Sequence, residues 1–534
     1  MHSLVDQRPV VVIGAGPVGQ TAALLLAHRG VPVVVLDSRQ ARDPTGSKAI
    51  CQQRDVLDVW DTVGAGRRLA EEGVTWTTAR TFHRDIELFC LHLQDGGRSP
   101  FPPFVNISQS RTEQVLDECL DRASLAQVRW GHEVVGIAQH EDGVEIRCAT
   151  DKGEVLLHSP YALVCSGARA EQVRRMLGLS FQGSTFGDRF LICDIRTELP
   201  GWELERRFYF DPEWNPGRQV LIHPCPGSIF RVDWQVPADF DLETEERTGR
   251  LDARIRQVIG EGGYELVWSS VYRFSSRIVD RMQVGRVLMA GDAAHLVAPF
   301  GARGLNSGVL DAENAAWKLA FVLHGWAPPS LLASYHDERH AAAVENLEVT
   351  AATMRFLVPQ DRAGSARRRE ALERARTDDD ARALVDSGRL AEPFWYVDSP
   401  LTTPDMSRAF PGRPPNGQVP RPAPGVLSPD CPVTAVGRPE VARLRQLLRQ
   451  GITVLVGDAV DLGAVEQAVA GAVAPVSVWR MGALSPEVSD VLGAGQDEMW
   501  LLRPDAHIAA VLRATDVGLL TDALDRLLSR RAPS

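Results

Sequence analysis

The sequence predicts an α/β protein in which a doubly wound domain carries an inserted antiparallel β-sheet and is followed by a helical region and a smaller α/β unit. Two strand–turn–helix units, in residues 10–26 and residues 286–323, predict the doubly wound domain. Between them, much of residues 186–275 alternates polar and apolar side chains, as antiparallel strands with one face in a core do. At 534 residues the chain is too long for one core, so several domains are expected.

The first unit has the pattern of a dinucleotide-binding site. An apolar strand, residues 10–13, runs into the hexapeptide GAGPVG and a helix, and a second strand, residues 33–36, ends in an aspartate. Glycines allow a tight turn, the helix N-terminus attracts a pyrophosphate, and an acid at this distance can bind a ribose hydroxyl. The alternative is a glycine turn that only packs helix against strand. The predicted contacts of an ADP moiety are Gly14, Ala15, Gly16, Pro17, Val18, Gly19, Asp37, Ser38 and Arg39.

The second unit places an acid at the tip of a strand. Residues 287–290 form the strand. A loop that contains Pro299, Gly301 and Gly304 follows, and a helix is predicted to begin near Asn306. Such a loop lets backbone approach a flat ring, while the helix N-terminus favours negative charge there. The alternative is a strand–loop–helix crossover with incidental glycines. The predicted ligand contacts are Gly291, Asp292, Pro299, Gly304, Leu305 and Asn306.

The two motifs together resemble the single-component FAD monooxygenases of the para-hydroxybenzoate hydroxylase type. The nearest branch is that of 3-(3-hydroxyphenyl)propionate hydroxylase and phenol hydroxylase, and the resemblance covers residues 8–405 closely. It implies non-covalent FAD, NADPH or NADH as reductant, and O2. It also implies hydroxylation of an aromatic or polyketide-like phenol through a flavin C4a-hydroperoxide. Three further FAD contacts follow from it: Lys48 where the family has an arginine along the pyrophosphate, Gln109 before a predicted capping box at Ser110, and Val134.

One position departs from the family pattern. After the strand at residues 163–165, this chain has Ser166 where the family has an aspartate that helps to hold the pyrophosphate and the nicotinamide coenzyme. A serine hydroxyl replaces only part of a charged acceptor, so we expect a weakened contact in a working enzyme. One alternative is that Glu171 reaches the same place. The other is a flavin-binding protein with impaired turnover that acts as a partner or ligand-binding module.

The segment between the motifs is predicted to hold a small ribbon and a substrate domain. Short strands near residues 134, 144 and 155, separated by Gly-containing turns, predict the antiparallel ribbon. In residues 229–235, Arg231, Asp233 and Gln235 alternate with apolar residues, which predicts a sheet with one wet face above the flavin. Candidate substrate contacts are His223, Tyr272 and Pro299, although sheet-core roles remain the alternative for the first two. No catalytic side chain is assigned, because the cofactor carries the hard chemistry.

Four segments are expected. Residues 1–185 form the first part of the FAD-binding domain, 186–275 the substrate domain, 276–405 the second part with the helical region, and 406–534 a thioredoxin-like unit. Ten prolines between residues 404 and 439 predict a linker or a wrapped, extended connection. The last segment contains Cys431 and no CxxC, so its expected role is structural or oligomeric, for example in a homodimer.

Bulk properties restrict the partners. The net charge is −11 without a dense basic run, so nucleic acid is not expected as a partner. No apolar run reaches the ~18 residues of a membrane span, and no signal peptide is expected. The eight cysteines are scattered without metal-like spacing, which predicts free thiols in a reducing cytoplasm and no metal site.

Overall fold

A computed structural model describes residues 6–44, 46, 48–93, 99–359, 361–414 and 418–530. The strands in these ranges are β1 Val10–Ile13, β2 Val33–Leu36, β3 Cys51–Gln53, β4 Val74–Thr75, β5 Thr78–His83, β6 Ile86–His92, β7 Phe104–Asn106, β8 Ala126–Arg129, β9 Glu133–His140, β10 Gly143–Thr150, β11 Gly153–Ser159, β12 Ala162–Val164, β13 Phe181–Arg196, β14 Glu205–Phe210, β15 Gln219–Cys225, β16 Ile229–Val236, β17 Glu265–Val279, β18 Gln283–Val284, β19 Val287–Met289, β20 His295–Leu296, β21 Ile452–Val456, β22 Val476–Arg480, β23 Glu498–Leu502 and β24 Ile508–Arg513.

The helices of the same ranges include five short 3-10 turns, among them Gly167–Arg169 and Gly291–Ala293. The α-helices are α1 Pro17–His28, α2 Arg54–Asp61, α3 Gly66–Glu72, α4 Gln109–Arg122, α5 Glu171–Met176, α6 Leu242–Arg247, α7 Arg250–Ile259, α8 Arg303–Leu323, α9 Ala333–Leu357, α10 Arg362–Ala375, α11 Asp379–Arg382, α12 Leu444–Leu448, α13 Leu462–Val469, α14 Met481–Leu484, α15 Pro486–Leu492 and α16 Val517–Leu527. No helix in the described ranges is long and apolar enough to cross a membrane.

A six-stranded sheet forms the first core, in the order β18-β19-β12-β1-β2-β8. Every pair is parallel except β18 with β19, and β1 and β2 are buried along their whole length, as strands covered on both faces must be. The chain moves from β1 to β2 on one side and later adds β12 on the other side. The carboxyl ends of β1 and β12 therefore border the crevice in which such sheets bind ligands. The predicted doubly wound domain is confirmed.

Two further sheets, in which nearly all strand pairs are antiparallel, accompany this domain. Strands β9, β10 and β11 form the predicted ribbon. The larger sheet has eight strands in the order β20-β17-β13-β16-β15-β14-β5-β6, and β14 with β5 is its parallel pair. Because β5, β6 and β20 lie outside residues 186–275, this sheet joins distant parts of the chain. The boundaries at residues 185, 275 and 405 stay predictions.

The prediction of a wet face on the large sheet is wrong. Phe230, Val232 and Trp234 pack with residues of α7 on one face. On the other face Arg231 and Gln235 are also buried, at 2% and 3% exposure. Residues of the loop before α8 and of α9 and α10 form a core with the apolar side chains of that face. The polar side chains of β16 therefore point into the protein.

The C-terminal unit is a four-stranded sheet in the order β22-β21-β23-β24 with helices on both faces. β21 pairs in parallel with β22, and the other pairs are antiparallel. The thioredoxin-like character of this unit stays a prediction. The proline-rich segment wraps against the sheet, since the N–H of Gly425 donates to the carbonyl of Ile508 at 2.7 Å. Pro415, one of the ten prolines, lies outside the described residues.

Buried ion pairs join this unit to the FAD-binding half. Arg449 binds Asp58 of α2 at 2.6 Å and Glu313 of α8 at 2.7 Å, and its side chain is 2% exposed. Arg503 binds Glu338 of α9 at 2.6 Å. Apolar side chains of α8 share one core cluster with the C-terminal sheet. The two regions are therefore packed as one body.

Candidate cofactor and substrate site

The GAGPVG turn connects β1 to α1 at the crevice. Gly14 has φ +109°, and a Cβ there would lie 2.5 Å from the carbonyl oxygen of Cys165. A Cβ at Gly19 would lie 1.9 Å from the carbonyl oxygen of Gly14. At Gly16, by contrast, a Cβ would meet nothing within 4 Å. Packing thus requires the outer two glycines, while the central one leaves open space beside the N-terminus of α1.

Asp37 lies against this turn. Its carboxylate accepts hydrogen bonds from the N–H of Ala15 at 2.8 Å and from the backbone and guanidinium of Arg39 at 2.9 Å. Burial alone would raise the pKa of Asp37, but these hydrogen bonds outweigh it and hold the pKa below its usual value. Ser38 is exposed. A ribose hydroxyl that binds Asp37 must therefore share or replace the contact of Arg39.

Val18 brings the two glycine motifs together. A Cβ at Gly291 would lie 3.1 Å from a methyl carbon of Val18, and a Cβ at Gly308 would lie 2.7 Å from the same atom. The N-terminal half of α1 therefore packs directly on the second motif, and glycine is needed at both contacts. The role of Gly308 was not predicted, because nothing in the local pattern identifies the partner of Val18.

Asp292 and Lys48 face the same region. The Asp292 side chain is exposed although protein surrounds it, and it accepts no hydrogen bond from the described part of the chain. Desolvation raises its pKa, against the opposing effects of His295 and Lys48. Lys48 is exposed, and its carbonyl accepts from Arg231 at 3.1 Å. The carboxylate of Asp292 is thus available to a ligand hydroxyl.

A buried acid holds the loop that carries Asp292. Asp311 accepts from the N–H of Gly291 at 2.9 Å, from His295 at 2.7 Å and from Arg339 at 2.7 Å. Burial would raise the pKa of Asp311, but His295 and Arg339 lower it to about 2. Arg339 also donates to the hydroxyl of Tyr396 at 2.9 Å. Sequence reasoning missed this support, although the DAEN run in the second motif contains the acid.

The helix of the second motif begins at Arg303, three residues earlier than predicted. The side chain of Asn306 is used within the protein, because it accepts from the N–H of Gln53 at 2.9 Å and donates to the carbonyl of Cys51 at 3.0 Å. The Asn306 side chain therefore holds the start of α8 against β3. A Cβ at Gly304 would meet nothing within 4 Å, which leaves space at the helix N-terminus. The other predicted contacts of this loop are the exposed Pro299 and the half-buried Leu305.

Gln109 begins helix α4 beside the loop of Lys48. It accepts from the N–H of Ala49 at 3.1 Å and donates to Glu113 at 2.9 Å. The helix cap is Ser108, which accepts from the N–H of Arg111 at 3.2 Å, so the predicted capping box at Ser110 is wrong by two residues. In the ribbon, Val134 is buried and pairs with Cys148.

Ser166 follows β12 and lies against the first glycine turn. A Cβ at Gly14 would be 2.7 Å from its Cα. The Ser166 hydroxyl is buried and has no hydrogen-bond partner in the described part of the chain. Glu171 does not take its place, because that side chain is exposed and pairs with Arg175 at 2.8 Å.

The polar face of the large sheet closes over the loops just described. Arg231 pairs with Asp194 at 2.7 Å and also donates to the carbonyl of Lys48. Next to it lie His223 and Asp233, each with a buried polar atom that has no hydrogen-bond partner among the described residues. Burial raises the pKa of Asp233 to about 7 and lowers that of His223 well below its usual value.

The candidate substrate contacts on this face lie apart. Tyr272 of β17 pairs with Phe190, and its ring lies 6.4 Å from that of Trp268. His223 lies on β15, three strands away in the sheet order. Strands are spaced about 4.8 Å apart, so roughly 14 Å separates the two side chains. They cannot both bind one substrate atom.

These residues fit FAD. Open space at Gly16 and Gly304, an available carboxylate at Asp292 and two helix N-termini suit a ligand with phosphates, hydroxyls and a flat ring. The family model described as FAD binding domain matches residues 7–350.

Known proteins resemble the chain over most of its length. A flavin-dependent monooxygenase of Mycobacteroides abscessus is 33% identical over 353 residues, which cover 63% of this chain and 72% of the relative. A 3-(3-hydroxy-phenyl)propionate/3-hydroxycinnamic acid hydroxylase of Mycobacterium avium is 29% identical over 66% of this chain and 62% of its own length. The solved structure of the flavin-dependent monooxygenase PieE, in complex with FAD and substrate, matches 99% of this chain and 100% of that one, with a TM-score of 0.84 at 22% identity. The chain therefore belongs to the flavin-dependent monooxygenases built on this FAD binding domain, and FAD is its cofactor.

Proposed function

We propose that this protein uses FAD, NADPH or NADH, and O2 to hydroxylate an aromatic or polyketide-like phenol. The observation that carries the proposal is the interior polar face of the eight-stranded sheet. This face contacts the loop that contains Lys48 and the loop that precedes α8. Arg231 ties this face to Lys48, and Ala302, just before α8, packs against a cluster that contains Cys51 and Cys225. A substrate on this face would lie between the sheet and the cofactor loops.

The residues of the two motifs would hold FAD, and the sheet would hold the substrate. The N-terminus of α1 suits the pyrophosphate, Asp37 a ribose hydroxyl, and Asp292 a further hydroxyl of the cofactor. The N-terminus of α8 would stabilise negative charge on the ring. FAD, when bound, supplies the electron transfer and the reaction with O2, so that the protein groups bind, orient and exclude water.

The names of the relatives support this substrate class. The Mycobacterium avium relative is named for two phenolic acids. An aromatic substrate also suits the rings that line the sheet, among them Phe190, Phe208 and Phe300. The homodimer and the cytoplasmic location remain predictions of the sequence.

The test is turnover with a panel of phenols. Purified protein is expected to contain releasable FAD and to oxidise NADPH or NADH faster when the right phenol is present. Mass spectrometry under isotopically labelled O2 is expected to find one labelled oxygen atom in the product. A protein that holds FAD, yet is not reduced with any phenol of the panel, would contradict the proposal.

A second candidate function is a flavin-binding protein with impaired turnover. The buried, unpaired hydroxyl of Ser166 favours it, because an aspartate there would offer a charged acceptor. Anaerobic reduction by NADPH separates the candidates. We expect wild type to be reduced and Ser166→Asp to be reduced about tenfold faster, the effect of one charge-assisted hydrogen bond. If neither protein is reduced, even with a bound aromatic compound, the second candidate is supported.

A further inference from the structure

Three polar side chains of neighbouring strands form a group that cofactor binding does not use. They are Arg206 on β14, His223 on β15 and Asp233 on β16, here named the β14–β16 cluster. Arg207 pairs with Ile222, and His223 pairs with Arg231, so the strand registers bring the three to one part of the interior face.

Arg206 is a buried cation that forms no close ion pair with the described residues, although Asp233 acts on it from a longer distance. Its side chain is 4% exposed and donates to the carbonyl of Ser387 at 3.0 Å. Within the described ranges no carboxylate lies within 4.0 Å of its guanidinium. The contrast with Arg231 is direct, because Arg231 on the same face pairs with Asp194. A buried charge without a close partner is costly, which favours an anionic ligand at the guanidinium of Arg206.

The other two members also lack partners. Nδ1 of His223 and Oδ1 of Asp233 are buried without a hydrogen bond among the described residues. Native proteins pair most buried polar atoms, so two such atoms beside an unpaired cation indicate a common missing partner. Burial, with Arg206 and Arg231, lowers the pKa of His223 well below its usual value, so the imidazole is neutral near pH 7.

The walls of the cluster are aromatic. The Trp76 ring stands edge-on to His223 at 6.4 Å and stacks on Phe104 at 5.7 Å. A ligand that combines an aromatic ring with a group that donates a proton and then carries negative charge would fit these surroundings. An ionisable phenol has this chemistry.

We propose that the β14–β16 cluster binds the ionisable ring hydroxyl of the substrate, with Asp233 accepting its proton and Arg206 pairing with the phenolate that results. The phenol O–H bond breaks, an O–H bond forms on Asp233, and the electron pair stays on the phenol oxygen. No oxidant or reductant is needed for this step. The inference rests on the proposed function and fixes which end of the sheet receives the hydroxyl, since Tyr272 lies three strands away from His223.

Several charged groups face Asp233 from the elements around it. Arg231 shares its strand, and Asp194, Arg206 and His223 lie on β13, β14 and β15. The thiol of Cys225 lies close by, and burial raises its pKa to about 12, so it stays neutral. Within the β14–β16 cluster, Asp233 has a pKa raised to about 7 and is therefore able to accept a proton near neutral pH.

Binding of two probes to the FAD-loaded protein tests the assignment. The probes are p-nitrophenol, whose phenolate absorbs visible light, and 4-nitroanisole, which has the same ring without an ionisable proton. Wild type is expected to prefer p-nitrophenol by about tenfold or more and to bind it as phenolate, as one charge-assisted contact implies. Arg206→Met is expected to lose the preference and Arg206→Lys to keep most of it.

The matched control is Arg207→Met. Arg207 is the next residue on β14, points to the opposite side and pairs with Glu205 at 2.7 Å. This variant is expected to keep the preference. In Asp233→Asn the binding of p-nitrophenol is expected to depend on pH only because the hydroxyl of p-nitrophenol ionises. FAD content is measured for each variant, and Arg206→Gln replaces Arg206→Met if the latter loses FAD.

Each result decides between the claims. A preference that survives in Arg206→Met and Arg206→Gln overturns the assignment and leaves the proposed function intact. Equal binding of both probes by wild type also overturns the assignment. If FAD-loaded wild type binds neither probe, the assignment of the β14–β16 cluster is refuted, whereas the proposed function is decided by turnover with the panel of phenols.

Discussion

Asp233→Asn should make the protein more stable, and more so as the pH rises. Burial raises the pKa of Asp233 to about 7 from 3.8, an effect that Asp194 increases and that Arg231 and Arg206 do not cancel. Between these values the unfolded chain releases the proton while the folded chain keeps it, so wild type loses stability as the pH rises. The linkage relation gives a loss of about 2 kcal/mol at pH 5 and about 4 kcal/mol at pH 8. Asparagine has no such loss.

Thermal unfolding of the FAD-loaded protein at the two pH values measures this effect. The advantage of Asp233→Asn over wild type should grow by about 2–3 kcal/mol from pH 5 to pH 8, or by about 5 °C in Tm at ~2 °C per kcal/mol. The exposed Asp239 provides the control, because Asp239→Asn removes the same charge without burial. If the stability difference between Asp233→Asn and wild type is equal at pH 5 and pH 8, the argument is refuted. An Asp233→Asn protein that is less stable at both pH values would refute it as well, since Asp233 would then be held by structural hydrogen bonds.

Three further substitutions probe the cofactor site and the C-terminal contact. Asp292→Ala should weaken FAD binding by about 1.5–3 kcal/mol in a FAD titration, because a cofactor hydroxyl loses a charged acceptor. Gly14→Val should abolish FAD retention after purification, because its Cβ would lie 2.5 Å from the carbonyl oxygen of Cys165. Arg449→Met should lower the free energy of unfolding by about 3–5 kcal/mol in urea, because Glu313 loses its ion pair and Asp58 keeps only the longer contact with Arg445, at 3.4 Å.

Matched controls accompany these variants. Asp337→Ala removes an exposed acid, and Arg421→Met removes an exposed arginine. Asp337→Ala should leave the affinity for FAD unchanged, and Arg421→Met should leave the free energy of unfolding unchanged. Unchanged FAD affinity in Asp292→Ala would mean that this acid does not touch the cofactor. A stable Arg449→Met would mean that its ion pairs contribute nothing net.

The glycine motifs could be predicted because their chemistry is local. Six consecutive residues specify the turn between β1 and α1, and strand and helix patterns flank it in the sequence. The β14–β16 cluster could not be predicted in the same way. Arg206, His223 and Asp233 meet only through the strand register, which no local pattern reveals.

The two wrong predictions have similar causes. Alternation in residues 229–235 shows that the two faces of β16 differ, but not what covers them, and α9 and α10 come from far along the chain. The sequence predicts the cap of α4 at Ser110, whereas the structure has it at Ser108, because serine suits a cap at either position. Backbone geometry at the first turn decides between them.

The ion pairs of Arg449 and Arg503 have a consequence for how this protein can be divided or recombined. Asp58, Glu313 and Glu338 lie in the FAD-binding half, yet arginines from beyond residue 406 pair with all three, and within that half Lys318 pairs with Glu338 at 2.7 Å. A fragment that ends near residue 405 would leave Asp58 and Glu313 without these arginines and would leave Glu338 with Lys318 alone. A chimaera with the C-terminal unit of a relative would fold well only if both sides of these pairs were exchanged together. The proline-rich sequence thus suggests a domain boundary, but the residues on its two sides stabilise each other and contribute jointly to the free energy of folding.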